Sequence, residues 1–135
     1  MIDAATAPWA ALILRVSLGV LFLAHGLTKL LVFKPAGTVD YFKSLGLPGG
    51  LAYVTMAAEL AGGLALVIGF MPRYVALLLV PLILGTIVTV HGKKGWMFSN
   101  TDGGWEFPAF WAAALVAQFL LGDGAWVLRT SPRWF

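Results

Sequence analysis

The sequence contains no cysteine in its 135 residues. This absence excludes disulfide bonds, metal sites built on thiolates and any dithiol relay supplied by the chain itself. Any redox chemistry in which the protein takes part would therefore need its electrons from another molecule.

Charged residues are also scarce. They make up 11% of the chain, against about a quarter in a typical soluble domain, while 60% of the residues are hydrophobic. A soluble domain of this size could not hide so much apolar surface, so we expect a lipid bilayer as the surrounding medium. The net charge of +3 is small and spread over the loops, which indicates contact with anionic lipid headgroups and not with nucleic acid.

Long apolar runs dominate the chain instead. Four of them, at about 9–32, 51–70, 74–90 and 105–121, approach the roughly 20 residues that cross a bilayer as a helix. Helices are expected because backbone groups in lipid must be paired internally and the alternation of barrel strands is missing. The sequence predicts one all-α integral membrane domain, residues 1–135, whose four transmembrane helices form an antiparallel bundle. The N-terminus lacks the basic region of a signal peptide, so the first helix is expected to be retained.

The connections between the predicted helices differ in length. The "MPR" at 71–73 is a tight link between the second and third helices, whereas 33–50 and 91–108 are longer loops on the opposite side. In the first of these, Thr38 is expected to cap a short interfacial helix that Gly46 ends. In the second, Trp96 and Trp105 fit an aromatic belt at the membrane surface. An even number of spans puts both termini on one side, predicted to be cytoplasmic.

Small residues recur every four positions in the second helix, at Ala57, Ala61, Ala65 and Gly69, with Gly62 and Gly63 beside them. Such a face lets another helix approach closely. It predicts a helix contact within the bundle or an interface with a protein partner or a second copy of the chain.

A few ionisable side chains interrupt the apolar runs, and each costs roughly 2.5–3.5 kcal/mol on insertion scales. They are Arg15, His25, Lys29 and Glu59, with His91 and Glu106 at the ends of the third and fourth spans. His25 and Lys29 are four positions apart and share one helix face. Lys29 is the expected ionic partner of Glu59, with His25 as the second choice. In a bundle, all except Arg15 converge near one membrane face, beneath the tryptophan-rich loop.

Each of these residues also has a purely structural interpretation. Arg15 and Lys29 can extend towards headgroups from a helix end. His91 suits a helix C-terminus and Glu106 a first helical turn. Glu59 can serve only as the partner of an ion pair. The residues alone leave these alternatives open.

Several stretches are distinctive in their order and spacing: "LRVSLGVLFLAHGLTKL", "LGLPGGLAY", "AAELAGGLALVIGF", "HGKKGW" and "GGWEFPAFWAAALVAQFLLGDGAW". Over nearly the whole chain they resemble the DoxX family of small four-span bacterial membrane proteins. The resemblance implies a multi-pass inner-membrane protein in a redox or sulfur-stress context, related to the DoxD-type subunit of thiosulfate:quinone oxidoreductase. The chain departs from the family where Val127, Leu128 and Arg129 replace the usual Ser-Leu-Asp, and it lacks the cysteine pairs of more distant reductase relatives.

The resemblance and the polar residues together predict a membrane subunit of a redox system that binds a quinone-like or other amphipathic ligand. Whether the chain is itself an enzyme stays open, and no cofactor is identified beyond a quinone. The candidate catalytic residues, for proton exchange, are Glu59 and His25; the candidate ligand-binding residues are Lys29, His91, Glu106 and Trp105. No metal site is predicted. Two alternatives remain: a non-enzymatic accessory or scaffold subunit of a larger complex, and, as the weaker one, a haem b held by His25 and His91.

Overall fold

The computed structural model describes residues 2–133, and the regular structure in this part of the chain is helical. The α-helices are α1 Ala7–Leu27, α2 Lys34–Ser44, α3 Gly50–Ile68, α4 Pro72–Thr86 and α5 Glu106–Leu121. Among the described residues, the only β-type pairing is an isolated parallel bridge between Phe70 and Arg129. The predicted all-helical class is confirmed.

Three continuous helical stretches are long and apolar enough to cross a membrane: Ala7–Val32, Gly50–Ile68 and Pro72–Lys94. The first and third extend beyond α1 and α4 through π-helical turns at Thr28–Val32 and Ile87–His91. These stretches match the first three predicted spans in helical structure, length and apolar composition. α5 is apolar but has only 16 residues. At 1.5 Å per residue it extends about 24 Å, less than the bilayer core of about 30 Å, so a fourth crossing stays a prediction.

The short helix after the first span starts earlier than predicted. α2 begins at Lys34, so Thr38 lies one turn inside it and does not cap it. The buried Thr38 hydroxyl instead bonds the carbonyl oxygens of Lys29 and Lys34, at 3.2 and 3.0 Å. These bonds explain the difference, because they tie α2 to the end of the first span. The C-terminal end follows the prediction, since Gly46 just beyond it has φ of 78°, in the left-handed region that favours glycine.

α1 packs on α3 through glycine. A Cβ added to Gly19 would lie 2.7 Å from the carbonyl oxygen of Gly63, and one added to Gly63 would lie 2.9 Å from that of Gly19. The two helices run in opposite directions, since Arg15 contacts the end of α3, while Lys29, in the turn just after α1, contacts Glu59 further back along α3. This close approach of two backbones is typical of helix packing in membranes.

The small residues predicted for α3 divide between two faces. Ala57 and Ala61 are exposed. The buried face contains Met56, Glu59 and Gly63. Of the predicted small residues, Gly63 makes the contact with α1, whereas Ala57 and Ala61 do not. The reason is that Gly63 has no side chain, so the α1 backbone can approach there more closely than it could approach a row of methyl groups.

Replacing Gly63 with alanine is expected to lower the free energy of unfolding by about 1–3 kcal/mol, the usual cost of overpacking a close contact. The added methyl would meet backbone atoms of α1 that cannot rotate away. Gly85→Ala is the matched control, because a Cβ at Gly85 in α4 meets nothing within 4 Å. Thermal unfolding in detergent measures both variants, and equal melting temperatures would contradict the proposed contact.

Arg15 is held inside one end of the bundle. Its side chain is 0% exposed. Nη1 donates to the carbonyl oxygen of Leu66 at 3.3 Å, and Nη2 donates to those of Ala125 and Trp126 at 2.8 and 2.9 Å. The interpretation of Arg15 as a residue that extends to the membrane surface was wrong, because the segment 122–131 folds back after α5 and supplies acceptors.

Backbone hydrogen bonds hold this C-terminal segment in place. The Ala125 amide donates to the carbonyl of Pro8, at 2.9 Å, and the Arg129 amide donates to that of Gly69, at 3.1 Å. Met71 then donates its amide to the carbonyl of Arg129, at 2.8 Å. The segment thereby covers the start of α1 and the link between α3 and α4, and this end of the bundle is closed.

Candidate functional site

A cavity of about 1090 Å³ lies at the other end of the bundle. Lys29 on its wall is about 21 Å along the first span from Arg15, at 1.5 Å per residue. Most of the wall is apolar, contributed by the first span, α4, α5 and the loop between them: Phe33, Leu82, Ile83, Val90, Phe107 and Trp111. Four of the predicted site residues also line it: His25, Lys29, Glu59 and His91.

Lys29 and Glu59 form the predicted ion pair. Nζ of Lys29 lies 2.8 and 2.9 Å from the two carboxylate oxygens of Glu59. The Lys29 side chain is 21% exposed and that of Glu59 only 5%, so the pair sits at the cavity wall with its acid inside the bundle. The pairing confirms the sequence prediction, and its physical reason is that a buried charge needs a partner of opposite sign.

The two spans that carry Lys29 and His91 change their winding at the cavity. Lys29 lies in the π-helical turn Thr28–Val32, and His91 ends the π-helical turn Ile87–His91. A π-helical turn holds an extra residue, which redirects the side chains beyond it, and such turns are frequent at functional sites. Nothing in the sequence marks these turns clearly, although Thr28 and Thr89 hydroxyls bond carbonyl oxygens four residues earlier.

His25 contacts α5 and bonds its own helix. Its ring lies edge-on to Trp111, with the ring centres 4.9 Å apart. Its Nδ1 is 2.9 Å from the carbonyl oxygen of Leu21. A carbonyl oxygen only accepts, so Nδ1 carries the proton and donates it. In the neutral imidazole, Nε2 is then an unprotonated acceptor.

His91 repeats this arrangement on the loop side. Its Nδ1 donates to the carbonyl oxygen of Gly103 at 2.9 Å, and Gly103 has φ of 76°. The bond ties the end of the third span to the loop between α4 and α5. Here again the neutral ring is left with Nε2 as an acceptor.

The loop at 95–105 forms a compact cover beside the cavity. Lys94 and Asp102 make an exposed ion pair at 2.8 Å. The hydrogen bond and charge of Lys94 lower the pKa of the Asp102 carboxyl. The ion pair is therefore present throughout the neutral range, and it weakens when acid protonates Asp102.

Two predicted ligand-binding residues, Trp105 at the end of this loop and Glu106 at the start of α5, do not line the cavity. Oε1 of Glu106 accepts the amide of Phe98 at 2.8 Å. The ring of Trp105 lies edge-on to that of Trp96, with the centres 4.4 Å apart. Both residues hold the loop against the start of α5, and a direct role for either in binding a ligand stays a prediction.

Sequence reasoning missed Trp111, which is buried and lines the cavity between His25 and the apolar core. It also missed the contribution of α2, from which Thr38 and Tyr41 reach the wall. The one available signal for Trp111 was its position: a tryptophan in the middle of an apolar run departs from the aromatic belt at membrane surfaces.

The arrangement suits a ligand with an apolar body and a polar head. The apolar wall can bury a ring or a chain, while the two imidazoles and the ion pair can hold or exchange a proton at the head. Within residues 2–133, no group of three or more histidine, aspartate or glutamate side chains is placed to hold a metal ion.

Comparison with known proteins gives relatives among bacterial membrane proteins. Residues 10–92 match the model of the DoxX family. The chain is 41% identical over 86 residues to a Bacillus subtilis protein named "Putative oxidoreductase CatD", a match that covers 64% of this chain and 63% of that protein. It is 30% identical over 128 residues to Inner membrane protein YphA of Escherichia coli, covering 90% of this chain and 89% of that one. Inner membrane protein YqjF of Escherichia coli is 32% identical over 82 residues, a match that covers 61% of this chain and 62% of that protein. No solved structure matches the chain.

Proposed function

Since the chain belongs to the DoxX family, we propose that it is an inner-membrane subunit of a redox system that binds a quinone-like amphipathic ligand. Two of the relatives named above are inner membrane proteins, and a third carries the name of an oxidoreductase. Because the chain has no cysteine, a partner protein or a diffusible donor delivers the electrons.

The observation that carries this proposal is the cavity. It combines an apolar wall with two imidazoles and an ion pair at one end of a membrane-embedded bundle. A quinone matches this cavity, because it has an apolar ring and tail that suit the apolar wall and two polar oxygens at its head that suit the polar groups. Binding of such a molecule near one membrane face lets the tail remain in apolar surroundings while the head exchanges protons.

We assign the proton exchange to His25 and Glu59. Nε2 of His25 is available to accept a proton, and the Glu59 carboxylate lies on the same wall. Lys29 holds the Glu59 carboxylate in place through the ion pair, and His91 is the second imidazole at the cavity. Trp105 and Glu106 hold the loop that covers the site.

We also propose that α5 completes four spans. Its side chains Trp111, Ala114 and Leu115 belong to the same buried core as Leu18 of α1 and Leu79 of α4. A helix packed at this depth against two membrane-length helices shares their surroundings. The 16 residues of α5 are too few to reach both surfaces of the membrane. Tryptophans at its N-terminal end and the segment 122–131 at its other end extend the crossing to the two polar surfaces.

Binding of decylubiquinone, a short-chain quinone, tests the proposal. We expect saturable binding to the full chain in nanodiscs, measured by calorimetry, and at least tenfold weaker binding to Thr86→Phe, because Thr86 lines the cavity and the larger ring fills it. Leu84→Phe is the matched control on α4, since Leu84 is 47% exposed and does not line the cavity. Absence of saturable binding would overturn the proposal and favour the accessory-subunit alternative.

A haem b protein is the second candidate, and one observation favours it. Both histidines donate Nδ1–H to a backbone carbonyl and keep Nε2 free, the arrangement that metal-ligating histidines usually have. Protein purified from native membranes should then show a Soret band that His91→Ala abolishes. A spectrum without that band removes this candidate and leaves the quinone proposal intact.

A further inference from the structure

We infer that the cavity binds the reduced, hydroxyl-bearing form of its ligand in preference to the oxidised carbonyl form. This inference rests on the proposed function and adds the chemical form of the ligand to it. It is carried by the hydrogen-bond state of the polar atoms on the cavity wall.

The two imidazoles present acceptors. Nδ1–H of His25 donates to the carbonyl oxygen of Leu21, and Nδ1–H of His91 donates to that of Gly103, both at 2.9 Å. Neither Nε2 has a protein hydrogen-bond partner among the described residues. A neutral ring in this tautomer can only receive a hydrogen bond at Nε2.

Threonine hydroxyls on the wall point to the same chemistry. Thr86 and Thr89 donate to the carbonyl oxygens of Ile83 and Gly85, each at 2.8 Å, and Thr38 donates to backbone carbonyls as well. With its hydrogen used in this way, each hydroxyl offers only lone pairs to a ligand.

Most of the charged groups at the wall form ion pairs with each other. Lys29 directs its Nζ at both oxygens of Glu59, and Lys94 is paired with Asp102. The indole nitrogen of Trp111 is a donor without an acceptor, but it is enclosed by protein. The remaining donors, on Lys93 and Tyr41, belong to exposed side chains at the same cavity. His25 is exposed as well, so the balance rests on the partly buried His91, Thr86 and Thr89 and on the buried Thr38, which present acceptors to the cavity.

A hydroquinone head carries two O–H donors and matches such a wall. A quinone head carries two carbonyl acceptors, whose lone pairs would face those of the imidazoles and leave them unsatisfied. Preferential binding of the reduced form raises the midpoint potential of the bound two-electron couple by about 30 mV for each tenfold ratio of dissociation constants. The site would then favour retention of the reduced ligand.

Calorimetric titration of the full chain in nanodiscs with decylubiquinone and with decylubiquinol, kept reduced under argon, tests the inference. The buffer is at pH 8, where an ordinary imidazole is neutral. We expect decylubiquinol to bind at least tenfold more tightly than decylubiquinone. Equal affinities, or tighter binding of the quinone, would overturn the inference and leave the proposed function standing. If neither molecule binds, the proposed function fails as well.

The variants His25→Asn and His91→Asn test the role of the imidazoles. The asparagine amide can still donate to the backbone carbonyl as Nδ1 does, while its acceptor Oδ1 is bonded to Cγ and does not extend to the position of Nε2. We expect each variant to reduce the preference, and the double variant to bring the ratio of the two dissociation constants close to one. A preference that survives the double variant would contradict the assignment to the histidines. Circular dichroism of each variant verifies that the helices persist.

Discussion

Replacing Arg15 with leucine is expected to destabilise the protein by about 3 kcal/mol or more, because hydrogen bonds to a charged donor each contribute about 1.5–3 kcal/mol. Leucine removes the donors that reach three carbonyl oxygens, two of them in the C-terminal segment. Water cannot replace those donors inside a bundle surrounded by lipid. The segment 122–131 should come away from α1 and from the link after α3.

Thermal unfolding and amide hydrogen exchange measure this effect. The melting temperature should fall, and exchange at Ala125 and Arg129 should accelerate, since their amides donate across the closed end. Arg129→Leu is the control, because it removes the same charge from an exposed side chain in the same segment. Arg15→Lys should lie between wild type and leucine, since an ammonium cannot reach all three acceptors with the geometry of a guanidinium. Similar melting temperatures for Arg15→Leu and Arg129→Leu would show that the buried contacts contribute little.

Glu59→Gln is expected to have the second large effect. The substitution leaves the Lys29 ammonium without its carboxylate inside an apolar span, and an uncompensated charge there costs about 2.5–3.5 kcal/mol. Lys29→Met leaves the buried carboxylate alone and should be destabilising for the same reason. The double variant Lys29→Met with Glu59→Gln removes both charges and should recover much of the loss. Chemical denaturation of the four proteins gives the coupling energy, which we expect to exceed about 1 kcal/mol.

The same variants separate structure from ligand binding. Lys43→Met is the control for the loss of a cation, because Lys43 is exposed on α2 and does not line the cavity. If the ion pair only stabilises the fold, the double variant should bind decylubiquinone as wild type does. If Glu59 takes part in the site, the double variant should stay folded and lose affinity. Additive single-variant effects would contradict the ion pair itself.

Three helices and one ion pair of the structure follow from the sequence alone. Long apolar runs predicted three of the helices, because a helix is the economical way to pair a backbone in lipid and the required length follows from the bilayer. The Lys29–Glu59 pair was also predictable, since two opposite charges near one end of consecutive apolar segments have few other ways to be neutralised.

Other features depended on contacts that no local pattern encodes. Arg15 looked like a residue near a membrane surface, yet its acceptors come from a segment more than a hundred positions away. The α1 contact on α3 falls at Gly63 and not on the alanine repeat, because the choice between two faces depends on the whole helix arrangement. Likewise, α2 begins at Lys34 because Thr38 bonds the end of the preceding span.

The sequence by itself determined the surrounding medium, the helical class and the residues that carry charge or a titratable proton. Those properties follow from composition and from the cost of polar groups in lipid, which each segment meets on its own. Only the tertiary structure decided that the C-terminal segment closes one end, that Trp111 and α2 complete the cavity at the other, and that both histidines donate Nδ1–H to a backbone carbonyl and keep Nε2 as an acceptor. Those properties arise from the distance and orientation of groups on different helices, which packing of the whole chain fixes.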